Sequence, residues 1–289
     1  MNIPPVLYPV LVPLARKNPK NILRLRYWLW THKWLSFNKP ADLMQYVLAE
    51  MIKGKKDPER LQQYATAADK YGVRKLVEER CGSEVLPKLL GVWEKAEDID
   101  FDALPQRFAI KTNNGCGTNI IVRDKSKLDK DDARAKLTKW LKLPYGELSG
   151  QIHYAAIPPR IIAEEFLEQK GCENLPNDYK FFCFNGEPQF ILYYEGRQVN
   201  GHITYNKVMD LDWNEVKGVV NLPAQHDIPR PASLEKMIDI AKKLSKGFPF
   251  VRVDLYDIDG RPVFGELTFT PDVVTNFTPE FLKEKMPKK

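Results

Sequence analysis

The residues best suited to chemistry lie near the end of the sequence. They fall in the run Phe250-Val251-Arg252-Val253-Asp254-Leu255-Tyr256-Asp257-Ile258-Asp259-Gly260-Arg261-Pro262-Val263-Phe264-Gly265-Glu266-Leu267-Thr268-Phe269. Two β-branched and aromatic segments joined by an Asp-Gly pair predict a β-hairpin. Side chains alternate along a strand, so Arg252 and Asp254 share one face, as do Glu266 and Thr268. If the connecting loop has an odd number of residues, all four face the same way, between strands packed by Val251, Val253, Leu255, Leu267 and Phe269. Two carboxylates so close together repel unless a cation lies between them. Hard oxygen ligands beside a phosphate-bearing substrate suit Mg²⁺. The alternative is a solvated polar face with Arg252 simply paired to Asp254, and the hairpin alone does not choose between them.

A second group of candidates begins where the pattern turns extended, at Phe108. Phe108-Ala109-Ile110-Lys111-Thr112 reads as a strand, Asn113-Asn114-Gly115-Cys116-Gly117-Thr118-Asn119 as a loop and Ile120-Ile121-Val122 as the returning strand. Such a loop can wrap a polyphosphate. Glycines let backbone N–H groups approach closely, Thr118 adds a hydroxyl, and Lys111 supplies charge. No helix opens after the loop and no G-x-x-x-x-G-K-[ST] is present, so it is neither a P-loop nor a dinucleotide-binding turn. A plain hairpin turn remains the other reading, since Asn-Gly is common in hairpins.

The elements that must position these groups follow from the rest of the chain. Its 289 residues can bury a substantial core as one large domain or a few modest lobes. Cys81, Cys116, Cys172 and Cys183 are scattered without a C-x-x-C pair, which argues against structural zinc or a disulfide framework and for a reducing cytosol. No stretch approaches the roughly 18–20 apolar residues that span a bilayer. The apolar start from Ile3 to Leu14 has four prolines, no basic n-region and no A-x-A-like cleavage site, and reads poorly as a signal peptide.

The net charge is +6, and seven basic residues (Arg16, Lys17, Lys20, Arg24, Arg26, Lys33, Lys39) precede the first acidic one, Asp42, so the remainder is near neutral. A nucleic-acid-binding protein usually spreads a basic stripe over its folded surface, and nucleic acid is not the expected partner here. Residues 17–35 predict a short helix after Pro19, carrying Trp28, Trp30 and Trp34 among its basic side chains. Its apolar side packs on the main body or a partner subunit; the alternative is a peripheral contact with an anionic membrane surface. Helices are predicted over 40–52, 58–71, 73–80, 128–143 and 233–245, the last capped by Ser233 or a neighbour. Strands are predicted at Leu89–Trp93, Arg160–Glu168, and in a hairpin from Asp178 through Asn185-Gly186 to Tyr194. His153 is a candidate for acceptor binding or proton removal, with a buried structural histidine as the stronger reading.

Taken together, the phrases ADKYGVR (68–74), FDALPQRFAIKTNNGCGTNIIVRDKS (101–126), PPRIIAEEFL (158–167), DYKFFCFNGEPQFI (178–191) and FPFVRVDLYDIDGRPVFGELTFTP (248–271) resemble the TupA-like branch of the ATP-grasp superfamily. The resemblance covers roughly residues 40–279. It implies an α+β ATP-grasp fold, two α+β lobes clamping ATP, with a helical N-terminal region. The expected division is a basic arm (1–39), a helical region (40–105), a lid-like lobe with the glycine loop (106–165) and a C-terminal lobe with the metal site (166–289).

By that resemblance, Lys111 contacts the nucleotide phosphates, and Asn114, Gly115, Gly117 and Thr118 close over them. Glu164, Glu165, Phe166 and Leu167 form the hinge at the adenine edge, and Glu168 is the ribose candidate. Lys180 lies near the phosphates or the acceptor, Arg252 stabilises the transferring phosphoryl group, and Asp254, Glu266 and Thr268 hold Mg²⁺. The last motif, E-x-T, departs from the E-x-N of many relatives, and a threonine hydroxyl is a weaker ligand than an amide oxygen. The resemblance further implies an ATP- and Mg²⁺-dependent carboxylate–amine ligase; the cysteines point to the cytoplasm, and the membrane alternative for the basic arm would set the ligase at the inner face of the membrane. It would act through an acyl-phosphate on a small-molecule or lipid-linked glycan in capsule or other surface-polysaccharide assembly, joining an amino-acid-like amine to a carboxylate such as a uronic acid. A phosphotransferase on a sugar hydroxyl, or a non-catalytic partner of the polysaccharide machinery, are the alternatives.

Overall fold

The change of periodicity at Phe108 is realised as a change from helices to sheets. The structure, a computed structural model, describes residues 5–172, 175–196, 198, 205–217, 219, 227–271 and 277–285. Helices α1 (Tyr8–Lys17), α2 (Pro19–Thr31), α3 (Leu43–Lys53), α4 (Pro58–Ala68) and α5 (Val73–Cys81) precede the strand β1 (Leu89–Trp93). Then come β2 (Phe108–Thr112), β3 (Asn119–Val122), α6 (Lys130–Leu141), the short α7 (Tyr145–Ser149) and α8 (Ile152–Ala155), and β4 (Ile161–Glu165). The remainder comprises β5 (Asp178–Phe184), β6 (Glu187–Glu195), β7 (Tyr205–Met209), α9 (Leu234–Ser245), β8 (Phe250–Ile258), β9 (Arg261–Thr268) and α10 (Pro279–Lys285). The fold is thus mixed α and β, in two lobes, with a helical N-terminal region. Chain contacts define one unit of Met1–Ala41, Gln45–Val73 and Leu89–Phe166, and a second of Asp42–Met44, Arg74–Lys88 and Leu167–Lys289.

In the first unit an antiparallel sheet has the order β1-β4-β2-β3. Phe108 and Ile110 alternate with Ala109 and Lys111 along β2, so the first pair enters a core with Val122, Ile161 and Ala163. Helix α6 covers that core with Ala133 and Leu137, one turn apart. It starts where predicted because the Asp129 carboxylate accepts the N–H groups of Asp131 and Asp132, a cap worth about 1 kcal/mol. The proline-bearing start, for which no helix was predicted, forms α1, with Pro9 in its first turn and Pro13 inside it.

In the second unit an antiparallel sheet has the order β7-β6-β5-β8-β9. Helix α9 buries Leu234, Met237, Ile240, Ala241 and Leu244. Ser233 does occupy its N-cap, but the hydroxyl makes no capping hydrogen bond. At the other end, Arg80 of α5 donates to the carbonyls of Lys243, Leu244 and Lys246 and satisfies the last turn of α9.

The turn at the tip of the last hairpin is Asp259-Gly260, with φ of 53° and 87°, the two positive values of a type I′ turn. A two-residue loop has the wrong parity for the predicted face. It would set Asp254 opposite Gly265 and Arg252 opposite Leu267. The strands correct this with a bulge at Gly265: Leu255 pairs with Phe264, but Asp254 pairs with Glu266 and Arg252 with Thr268. Without it Leu267 would turn to the polar face, at about 1.5–3 kcal/mol for each apolar side chain so displaced. Glycine suits the bulge because a Cβ there would lie 3.0 Å from the Asp254 carbonyl oxygen.

Candidate active site

Strands β5, β8 and β9 bring one polar cluster together on a single face. Lys180 lies opposite Asp254, which lies opposite Glu266. Arg252 grips Asp254 with two bonds, Nε to Oδ1 and Nη2 to Oδ2, each 2.6 Å. Its Nη2 also reaches Glu266 Oε1 at 3.3 Å and donates to Thr268 Oγ1 at 3.1 Å, while Thr268 donates to Glu266 at 3.0 Å. Lys180 Nζ donates to Asp254 Oδ2 at 2.7 Å and to Asp178 Oδ1 at 3.3 Å. The cation lying between the two carboxylates is therefore a guanidinium. Burial alone lowers the Arg252 pKa, but the Asp254 carboxylate, then Glu266, outweigh it and hold the group above its ordinary value.

Asp178, Lys180, Arg252 and Asp254 are buried, whereas the Glu266 side chain is 35% exposed. Among the described residues, no group of three or more His, Cys, Asp or Glu side chains could hold a metal ion. Asp254, Glu266 and Thr268 are an all-oxygen donor set. That fits a hard divalent ion which takes its remaining ligands from water and nucleotide phosphates.

The other predicted residues, apart from Leu167 and Glu168, lie in the first unit. Lys111 sits diagonally from Glu164 across the β2–β4 pair, and Nζ meets Oε2 at 2.6 Å. The loop after Lys111 is closed by Thr112 N–H to the Thr118 carbonyl at 3.0 Å and by the two hydroxyls at 2.7 Å. Asn114 and Thr118 are buried. Gly117 has φ of 71° and so needs glycine, but Gly115 does not: a Cβ there meets only ordinary contacts, with Thr118 and Tyr145 at 3.7 Å. Glu165 lies opposite Phe108 at the end of β4, and Phe166 lies between the Arg107 and Arg123 guanidiniums, 5.5 and 5.6 Å from its ring centre. The first unit ends at Phe166, so Leu167 and Glu168 open the second.

Three residues that hold the glycine loop were not singled out from sequence. The Asn113 amide donates to Asp69 Oδ1 at 2.7 Å and to the Pro158 carbonyl at 3.0 Å, and Asn113 Oδ1 accepts from the Arg160 N–H at 2.7 Å. Lys70 Nζ donates to the Gly115 carbonyl at 2.6 Å. The signal was the phrase ADKYGVR, whose Asp69 and Lys70 have no role that spacing alone reveals.

His153 is fully buried in α8, and burial lowers its pKa to about 3, so it is neutral near pH 7. Between that value and the ordinary 6.5 the unfolded chain binds a proton that the folded chain does not. Stability is whole above about pH 6.5 and falls as pH drops towards 3. In denaturant unfolding, going from pH 7 to pH 5 is expected to cost about 2 kcal/mol through this residue. His153→Phe should remove that part of the slope, and an unchanged slope would show that His153 is not held neutral. The first unit also contains a cavity of about 1000 Å³, whose lining includes Tyr8, Arg26, Cys116, Lys139, Trp140 and Lys142.

A family match over most of the chain places the protein in the ATP-grasp class. The chain belongs to the TupA-like ATP-grasp family, whose profile matches residues 50–286. Three solved ligases are similar in fold. The D-alanine–D-alanine ligase of Bacillus anthracis complexed with ATP is 18% identical, with a TM-score of 0.44, over 75% of this chain and 58% of that one. The phosphoribosylamine–glycine ligase of Thermotoga maritima is 15% identical, with a TM-score of 0.41, over 74% and 52%. The L-amino acid ligase of Bacillus licheniformis is 16% identical, with a TM-score of 0.40, over 70% and 40%. The chain therefore spans less than two-thirds of the length of these structures. No protein of curated function matches it.

Proposed function

We propose that the protein is an ATP-dependent carboxylate–amine ligase of surface-polysaccharide assembly. Within the family assignment, the observation that carries this reading is the buried Lys180–Asp254–Arg252 cluster beside Glu266 and Thr268. Burying that many charges is costly unless they are used or fully paired, and here they converge on one face. A carboxylate oxygen attacks the γ-phosphorus of ATP and ADP leaves; an amine then attacks the acyl carbon, inorganic phosphate leaves and the amine loses a proton. No protein nucleophile is needed. What the chain must supply is alignment, cations over the phosphates and exclusion of water.

Lys111 and the loop of Asn114, Gly115, Gly117 and Thr118 hold the phosphates, and the backbone of Glu164 to Leu167 meets the adenine edge, with Glu168 at the ribose. Asp254, Glu266 and Thr268 hold Mg²⁺, which when bound supplies charge neutralisation at the phosphates. Arg252 and Lys180 orient the phosphoryl group in transfer. The division into a basic arm, a helical region, a lid-like lobe and a metal-bearing lobe belongs to the same reading. The carboxylate is carried by a glycan or its lipid-linked precursor, such as a uronic acid, and the amine is amino-acid-like. The cations and aromatic rings of the cavity suit an anionic sugar. On this reading the enzyme acts in the cytoplasm, at the inner face of the membrane.

Product analysis tests the reading. The protein is incubated with ATP, Mg²⁺, panels of uronic acids and nucleotide sugars, and amino acids. ADP, phosphate and an amide are expected. ADP with a phosphorylated sugar would assign a phosphotransferase, and no ATP turnover with any pair would assign a non-catalytic partner.

A further inference from the structure

We infer that the outer face of α1 and α2 is a docking surface for an anionic lipid bilayer. The two helices are two-sided. Their inner side is fixed to the first unit: Ala15, Leu23 and Tyr27 are buried, the Tyr27 hydroxyl accepts from Gln45 at 2.9 Å, and Arg16 pairs with Glu147 at 2.7 Å. Arg26 adds a bond to the Ser149 carbonyl at 2.8 Å. The arm is thus a built part of the fold and not a loose tail.

Its outer side breaks the usual surface rule. Among the described residues, every exposed large apolar side chain lies between Val6 and Trp34. On α1 and the turn before it, Val6, Val10 and Leu14 recur at four-residue spacing and are 80%, 61% and 58% exposed. On α2, Leu25, Trp28 and Leu29, at positions i, i+3 and i+4, are 51%, 47% and 43% exposed, and Trp34 beyond it is 71% exposed. Exposed apolar side chains concentrated in one segment of the chain in this way mark a contact surface.

Charge selects the occupant. The first 41 residues hold seven basic side chains and no acidic one, and Lys17, Lys20, Lys33 and Lys39 are exposed. A second copy on this face would set two such basic arms against each other with no acidic groups to oppose them, which disfavours self-association. Apolar and tryptophan side chains flanked by lysines match the depth profile of a membrane interface: rings at the headgroup level, ammonium groups on the lipid phosphates. The contact stands apart from the ligase reading, since it uses none of the residues assigned to ATP or Mg²⁺.

Flotation of the full chain with phosphatidylglycerol-rich and pure phosphatidylcholine vesicles tests it. Binding to the first at low salt, weakening as salt rises, and little binding to the second are expected. The pair Trp28→Ser and Leu29→Ser should weaken binding about tenfold or more, and Lys17→Gln with Lys20→Gln about tenfold. All four positions are exposed, so the unfolding temperature should not move. Absence of binding to phosphatidylglycerol vesicles at low salt, or binding that both variant pairs leave intact, overturns the inference. So does a concentration-dependent dimer abolished by the Trp28 and Leu29 changes in a protein that ignores vesicles, which would assign the face to a second copy.

Discussion

Glu266→Gln is expected to lose about 100- to 1000-fold in turnover while the protein stays folded, and Asp254→Asn to lose as much and also to unfold more easily. The two carboxylates share a face and a partner but differ in burial. Asp254 receives both bonds of the Arg252 fork and the Lys180 ammonium. Replacing it with an amide removes the charge that two buried cations are arranged around, a change that typically costs about 3–5 kcal/mol. Glu266 is one-third exposed and meets Arg252 at 3.3 Å, so its loss should cost the fold little. Activity therefore has to be read beside denaturant unfolding and Mg²⁺ dependence. A large drop in Glu266→Gln at nearly unchanged stability supports the metal and phosphate role. Near-wild-type turnover in both variants would end it, leaving the cluster as a structural ion network.

The second large effect concerns Lys111, and here the readout is nucleotide binding. A charged hydrogen bond to phosphate contributes about 1.5–3 kcal/mol, so Lys111→Met should weaken ATP roughly 10- to 150-fold. Adenosine lacks phosphates and should bind as before. The ion pair with Glu164 complicates the single variant, because a carboxylate whose side chain is only 7% exposed loses its cation. Combining Lys111→Met with Glu164→Gln removes both charges and keeps the local balance. Calorimetry with ATP, ADP and adenosine on the single and double variants makes the comparison. If both bind ATP as tightly as the wild type, Lys111 is not a phosphate ligand, and the loop from Asn113 to Thr118 is an ordinary hairpin connection.

Much of this protein is settled by local sequence. Alternation of Phe108 and Ile110 with Ala109 and Lys111 fixes which side of β2 is buried, whatever strand lies beside it. Asp259-Gly260 and Asn185-Gly186 determine their turns, because both residues of each pair adopt the positive φ that a type I′ turn requires. The helices from α2 to α6 and α9 follow from apolar spacing and, for α6, a capping carboxylate. The phrases around these elements were enough to point to the family that the match over residues 50–286 shows.

What the tertiary structure decided is every relation that depends on pairing between distant strands. The parity of the last hairpin was open, and its turn alone gives the wrong answer. The bulge at Gly265 shifts the register by one residue so that Arg252, Asp254, Glu266 and Thr268 share a face. Lys180 joins them because β5 lies beside β8, although 74 positions separate it from Asp254. Lys111 meets Glu164 because β2 lies beside β4, and Asn113 meets Asp69 at the C-terminal end of α4. Side-chain period, turn type and capping are set within a few residues of the backbone, so sequence alone carries them. Register, strand neighbours and the partner of each buried charge are set by which faces must be buried together, and only the folded chain brings those faces into contact.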